Sequence, residues 1–207
     1  MKLYLSSFKL GEKSSELVRL MSDDKKIAYI PNACDYTKVD WDRRNSWNEK
    51  DMQSLRDIGL EVEYLDLKDY FGKEQELRNK IDSLGGVFFR GGNTFILRQA
   101  MKLSGFDHIF EDLKKRDDFV YAGYSACICV LAPNFKALQQ VDNPTDHPYP
   151  EQKETIWEGL GFLDYIILPH YKSDHPESVD IDKEVEFAKK NNISFKTLED
   201  GEVIIIE

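Results

Sequence analysis

The run Phe119-Val120-Tyr121-Ala122-Gly123-Tyr124-Ser125-Ala126-Cys127 is apolar up to its glycine and then presents a serine. A buried strand that stops at Ser125 and gives way to a helix-compatible run lifts a hydroxyl to the carboxyl end of a sheet. It also aims the first free N–H groups of the helix at the same spot. The usual form of such a turn is G-x-S-x-G, with small residues on both sides because both crowd the turn. Gly123 keeps the first small position and Cys127 takes the second. A serine hydroxyl is a poor nucleophile at neutral pH and needs a base within hydrogen-bond reach. Of the four histidines, His108, His147, His170 and His175, His170 alone directly follows a buried apolar strand, Tyr165–Leu168 and then Pro169. That places it at the carboxyl edge, where a base for Ser125 is needed. His108 falls in a helical pattern, and His147 and His175 fall in polar stretches read as solvated. A third segment, Arg90-Gly91-Gly92-Asn93-Thr94, follows another short apolar strand. Its glycines allow close backbone approach, Asn93 or Thr94 can cap the next helix, and free N–H groups there can stabilise an oxyanion. A serine–histidine pair usually has an orienting acid. Asp142 is the candidate, after the strand-like Phe135–Val141 and before Asn143-Pro144, with Asp146, Glu151 and Glu154 as competitors. Taken singly, each feature also has a plain structural reading: a helix cap, a strand-to-helix turn, a core histidine, a solvated loop aspartate.

The elements that must position these residues alternate from end to end. Strands are expected at Lys2–Ser7, Lys26–Pro31, Glu61–Leu67, Val87–Arg90, Phe119–Tyr124 and Tyr165–Leu168. Helical spacing marks Ser14–Met21, Ser46–Gly59, Lys73–Leu84, Phe95–Met101, His108–Arg116, Cys129–Ala132 and Lys183–Lys190. The stretch 34–44 reads as a loop, Gln140–Glu151 as a long proline-bearing loop, and Ile193–Leu198 with Glu202–Ile206 as a closing hairpin around Glu199-Asp200-Gly201. Neither an internal repeat nor a linker interrupts residues 1–207, so one domain is expected. Such alternation predicts an α/β fold, a mostly parallel central sheet with helices on both faces, which binds ligands at the carboxyl ends of its strands.

The bulk properties narrow the function. The 207 residues are 41% hydrophobic and 32% charged, ordinary for a folded domain with a sizeable core. A net charge of −10 argues against a nucleic-acid surface, which needs clustered lysine and arginine. No apolar run reaches the length of a membrane span, and the first residues do not read as a signal peptide. Cys34, Cys127 and Cys129 form neither a disulfide framework nor a zinc spacing. Together these predict a cytoplasmic protein with no membrane or nucleic-acid partner, acting on a small substrate, with a homodimer left open.

Together, Gly91-Gly92-Asn93-Thr94-Phe95 with Leu97, Gly123-Tyr124-Ser125-Ala126 and Pro169-His170-Tyr171 resemble, in order and spacing, the aspartyl dipeptidase (peptidase E) family of serine peptidases. The resemblance covers most of the chain. It implies a class I glutamine amidotransferase-like fold, a flavodoxin-like three-layer sandwich. It also implies a Ser-His-acid triad of Ser125, His170 and, less directly, Asp142. Gly92 and Ala126 would supply oxyanion-hole N–H groups, and no metal or organic cofactor is expected. The substrate would be a dipeptide or other short peptide. Two departures stand out. Cys127 occupies a position that is usually glycine in the family. The run from Tyr171 to Asn192 lacks the arginine with which aspartyl dipeptidases pair the substrate carboxylate, Lys172 being the nearest cation. A cyanophycinase-like hydrolase and a catalytically silent binding domain on the same fold are the alternatives.

Overall fold

The computed structural model describes residues 1–21 and 24–207. Its elements run β1 (Lys2–Ser6), α1 (Ser14–Leu20), β2 (Lys26–Ile30), α2 (Trp41–Asp57), β3 (Glu61–Tyr64), α3 (Glu74–Asp82), β4 (Gly86–Phe89), α4 (Thr94–Ser104), α5 (Phe106–Leu113), β5 (Val120–Tyr124), α6 (Ala126–Cys129), β6 (Ile166–Leu168), α7 (Ser178–Lys190), β7 (Phe195–Thr197) and β8 (Val203–Ile206). Six strands form one sheet in the order β3-β2-β4-β5-β1-β8, parallel except for β8, which runs antiparallel to β1. β6 and β7 pair in parallel as a separate small sheet.

Alternation along the strands divides the core into two layers. Leu3, Leu5, Ala28, Ile30, Val87, Phe89 and Tyr121 point to one face and pack with residues of α3, α4, α5, α6 and α7. Tyr4, Ile27, Tyr29, Phe88, Val120 and Ala122 point to the other and pack with α1 and α2. The expected α/β architecture with helices on both faces is therefore present. No helix among the described residues is long and apolar enough to cross a membrane.

Four segments differ from the sequence reading, among them the helix expected at Cys129–Ala132, which ends at Cys129 as α6 and gives way to turns. The expected loop at 34–44 is helical in its last four residues, because the Asp40 carboxylate accepts the Arg43 N–H at 3.0 Å and caps α2 at Trp41. Phe135–Val141 is no strand; it is a turn followed by a short 3₁₀ turn at Leu138–Gln140. The closing hairpin does not form. β7 joins β6, while β8 takes the edge of the main sheet beside β1, with Leu5 opposite Ile204. Each half of that sequence finds a better-buried partner than the other half.

Candidate active site

Parallel pairing sets the stage. β4 and β5 are neighbours with Phe89 opposite Gly123, and β1 flanks β5 with Ser6 opposite Tyr124. The chain therefore leaves β4 at Arg90-Gly91-Gly92, β5 at Ser125 and β1 at Ser7-Phe8-Lys9 along one carboxyl edge.

Ser125 sits in the turn between β5 and α6 with φ +52° and ψ −112°. An L-residue rarely adopts such a backbone, and holding it there costs on the order of 1–3 kcal/mol, offset by the surrounding packing. Gly123, at φ +147°, makes the turn feasible: a Cβ there would lie 2.2 Å from the Phe89 carbonyl and 2.5 Å from Cys127 Sγ. Cys127 sits within α6, its sulfur against Gly123 where a Cβ would otherwise stand. Its thiol is fully buried and donates to the Ala122 carbonyl at 3.3 Å, and the Tyr121 hydroxyl donates to the Cys127 carbonyl at 2.9 Å. Burial pushes the Cys127 thiol up to about 12, so it has no nucleophilic character beside the serine.

Gly91 lies against the turn so closely that a Cβ would come within 2.8 Å of Ser125 Cβ and 2.7 Å of the Tyr124 ring. Gly92, at φ +149°, is packed against the Ala33 carbonyl. The N–H groups of Gly91, Gly92 and Ala126 have no hydrogen-bond acceptor among the described residues. Asn93, placed with the glycine loop as an oxyanion or substrate residue and also as a helix cap, is seen here as the cap. Its buried side-chain oxygen caps α4, accepting the Phe95 and Ile96 N–H groups at 2.8 and 3.1 Å, and its Nδ2 donates to the Asn143 carbonyl at 3.0 Å. Its own N–H donates to Ala33 at 2.9 Å. Asn93 therefore fixes the glycine loop, with its side-chain oxygen fully engaged in the cap.

His170 follows β6 with φ +61° and is 1% exposed. Its Nδ1 lies 2.7 Å from the Asp200 carboxylate, so the carboxylate bound to His170 is Asp200 and not Asp142. The β6–β7 register, Leu168 opposite Thr197, brings the two together, and the ladder continues through Tyr171 N–H to the Leu198 carbonyl at 3.0 Å. Ser7, at the end of β1, ties them to the main sheet. Its hydroxyl accepts the His170 N–H at 2.9 Å and donates to Asp200 at 3.0 Å. The expectation for Asp142 fails because Phe135–Val141 does not extend along the sheet. Asp142 lands at the start of α4, where its carboxylate accepts the Thr94 N–H at 2.8 Å. Desolvation there pushes its carboxyl up to about 6, against the opposing effect of the Thr94 contact.

Desolvation and the neighbouring His175 lower the His170 imidazole, while Asp200 opposes both. The balance favours the uncharged imidazole, the form able to accept a proton. His175, expected to be solvated, stacks on it instead, with ring centroids 3.8 Å apart and planes within 9°. Phe8 meets both rings edge-on.

Ser125, Gly91, Gly92, His170 and His175 line one open cavity of about 640 Å³. Its far wall is α2 and the segment leading to it. Asp51 holds that wall by accepting the Tyr29 and Tyr124 hydroxyls at 3.0 and 2.7 Å. The wall also supplies cations. Arg44 is committed to Asp35 at 2.5 Å and Arg90 to Asn48 at 2.5 Å, whereas Lys38 and Arg43 form no ion pair among the described residues. Lys172, the cation nearest His170 in sequence, lies over the Tyr171 ring at 5.1 Å and is not part of the lining.

A strained serine at the carboxyl edge of a parallel sheet, in one cavity with a carboxylate-bound histidine, is the layout of a serine hydrolase. The sequence model of peptidase family S51 matches residues 6–207, and the chain belongs to that family of serine peptidases. An uncharacterised peptidase of Listeria monocytogenes is 28% identical over 171 residues, covering 82% of this chain and 77% of the relative. The fold is shared with a Listeria monocytogenes crystal structure that carries a peptidase E name, with a TM-score of 0.77, 24% identity and coverage of 99% of this chain and 93% of that one. It is also shared with a peptidase from an acI-B1 actinobacterium, with a TM-score of 0.70, 18% identity and coverage of 100% and 83%.

Proposed function

We propose that this chain hydrolyses dipeptides or similarly short peptides through Ser125, His170 and Asp200. The observation that carries the reading is the 2.7 Å contact between His170 Nδ1 and Asp200, made by a buried histidine in the same cavity as the strained serine. With Nδ1–H donated to the carboxylate, Nε2 is the basic nitrogen. Ser125 Oγ attacks the scissile carbonyl as its proton passes to Nε2. The tetrahedral oxyanion takes the free N–H groups of Gly92 and Ala126, and Asp200 stabilises the imidazolium. The imidazolium then protonates the leaving amine, and water, activated in the same way, hydrolyses the acyl-enzyme.

The cavity volume is in the range of small-molecule sites, about 300–1,000 Å³. Lys38 and Arg43 provide a place for a substrate carboxylate, from a different element than the segment after the histidine. A wall of this sign disfavours an arginine-rich polymer, which speaks against the cyanophycinase-like alternative. The strained turn and the unpaired oxyanion donors speak against a silent binding domain. The test is a dipeptide-library hydrolysis screen on the native chain and Ser125→Ala, with fluorophosphonate labelling of both. Hydrolysis and labelling that vanish together in Ser125→Ala support the reading; hydrolysis that survives in Ser125→Ala rules it out.

A further inference from the structure

We propose that His170, His175 and Glu177 form a site for a divalent transition-metal ion of the Zn²⁺ type, and that its occupation switches the peptidase off. The second half rests on the role given to His170 above; the first does not. The metal would be an inhibitor and takes no part in the reaction.

The three residues each bring one donor atom, and these atoms all lie within 4.8 Å of one another. The donor set of two imidazoles and one carboxylate is that of borderline ions such as Zn²⁺, and is poor for Mg²⁺ or Ca²⁺, which prefer all-oxygen shells. The donors come from the short turn between β6 and α7, in the spacing H-x₄-H-x-E, with Pro176 between the last two. Donors on a tetrahedral zinc stand about 3.3 Å apart, so the outermost pair must close by about 1.5 Å. The side chains able to make that movement are on the rim: Glu177 is 46% exposed and His175 17%. His170 is the fixed point. Its Nδ1 is held by Asp200 at 2.7 Å, the carboxylate–histidine arrangement that orients metal-binding imidazoles and raises their basicity. The nitrogen left for a metal is then Nε2, the one that takes the serine proton. His175 lies flat on His170 with ring centroids 3.8 Å apart, so its ring must swing out of the stack before one of its nitrogens can face an ion lying in the plane of His170, and its Nδ1, 3.9 Å from the Glu177 carboxylate, must give up the Glu177 N–H it accepts at 3.3 Å or leave the metal to Nε2. The fourth position would be open to water from the cavity that all three side chains line. Metal and proton compete for one lone pair, so a bound ion removes the base without disturbing the fold.

The test measures binding and activity separately. Chelator-stripped protein is titrated with Co²⁺, read by its d–d absorption, and with Zn²⁺, in competition with a chromogenic chelator. The variants are Ser125→Ala, His175→Ala, Glu177→Gln and Asp200→Asn. One equivalent should bind to the native chain and equally to Ser125→Ala, with the intense visible bands of tetrahedral cobalt. Affinity should fall at least tenfold in His175→Ala and Glu177→Gln, and ~10–100-fold in Asp200→Asn. In the active chain, the Zn²⁺ concentration giving half-inhibition should match the dissociation constant, reverse with EDTA, and rise in His175→Ala by the factor seen in binding. Binding that is not stoichiometric, or that ignores the His175 and Glu177 substitutions, overturns the site. Stoichiometric binding with unchanged hydrolysis overturns the switch. A chain that hydrolyses nothing would count against the proposed peptidase reaction and leave the binding arm to decide the site.

Discussion

Replacing Asp200 by asparagine isolates the acid of the proposed triad. The side chain keeps its size but loses the charge that faces the His170 ring at 2.7 Å. During attack by Ser125, His170 becomes an imidazolium in a buried setting that already disfavours its charged form. Two unit charges about 4 Å apart interact by about 4 kcal/mol at an effective dielectric of 20. Losing that stabilisation from the transition state alone lowers kcat by ~10³-fold, at about 1.4 kcal/mol per decade. The new amide can also present its NH₂ to Nδ1 and turn the ring to the wrong tautomer, which acts in the same direction. Asp142→Asn serves as the control. An asparagine oxygen still accepts the Thr94 N–H, so kcat/KM should stay within ~5-fold. Steady-state kinetics on the best dipeptide of the library screen, with EDTA present, give both values. The pH profile gives an independent reading. Asp200 raises the His170 pKa, so its removal should move the acid limb of kcat/KM to lower pH, whereas Asp142→Asn should leave that limb in place. A ~10³-fold loss in Asp142→Asn, with Asp200→Asn within tenfold of native, would refute the assignment.

Further predictions follow from the packing around the site. Gly123→Ala forces a Cβ to within 2.2 Å of the Phe89 carbonyl at a φ of +147°, and should lower stability by at least ~2 kcal/mol in a urea titration. Cys127→Gly restores the usual small residue but puts glycine into α6 and opens a void. Stability should fall by ~1–2 kcal/mol while kcat/KM stays within ~3-fold, and native Cys127 should resist iodoacetamide until the chain unfolds. Arg43→Ala should raise KM for acidic dipeptides by about tenfold and leave neutral ones little changed. Glu184 is buried without a hydrogen-bond partner for either oxygen among the described residues, and desolvation, with Asp142 adding to it, pushes its carboxyl up to about 9. The folded state therefore keeps a proton that the unfolded chain releases above its ordinary value near 4.5. This favours the folded state fully at low pH and is lost as pH rises toward about 9, at up to about 1.4 kcal/mol per pH unit. Glu184→Gln should flatten that slope in denaturation curves between pH 5 and 9, within roughly the window this shift sets.

Local chemistry made part of this molecule legible and long-range pairing hid the rest. Apolar strands followed by glycine, serine or histidine announce the carboxyl edge. Ser125, the Gly91-Gly92 loop and His170 could therefore be read from their own neighbours, as could the alternation that makes an α/β sheet. Asp200 could not. Its neighbours Glu199 and Gly201 are ordinary turn formers, and nothing within ten residues says that β7 leaves β8 to pair with β6. Two short apolar runs flanking a turn satisfy a hairpin and a split across two sheets equally well at the level of periodicity. The choice is made by what else needs covering: β1 would otherwise be an open edge, and β6 has no other strand partner among the described residues. Asp142 drew attention for the opposite reason, a local turn signal in the right part of the chain. That signal was real, but the turn serves the start of α4. His175 shows the same limit, since a polar run gives no sign that one of its residues will lie flat on a buried ring. The proposed nucleophile and its N–H donors each come from residues that directly follow a single strand, β5 or β4. The proposed acid and the stacked histidine depend on where separate strands meet, and that is information a single sequence carries only through its fold.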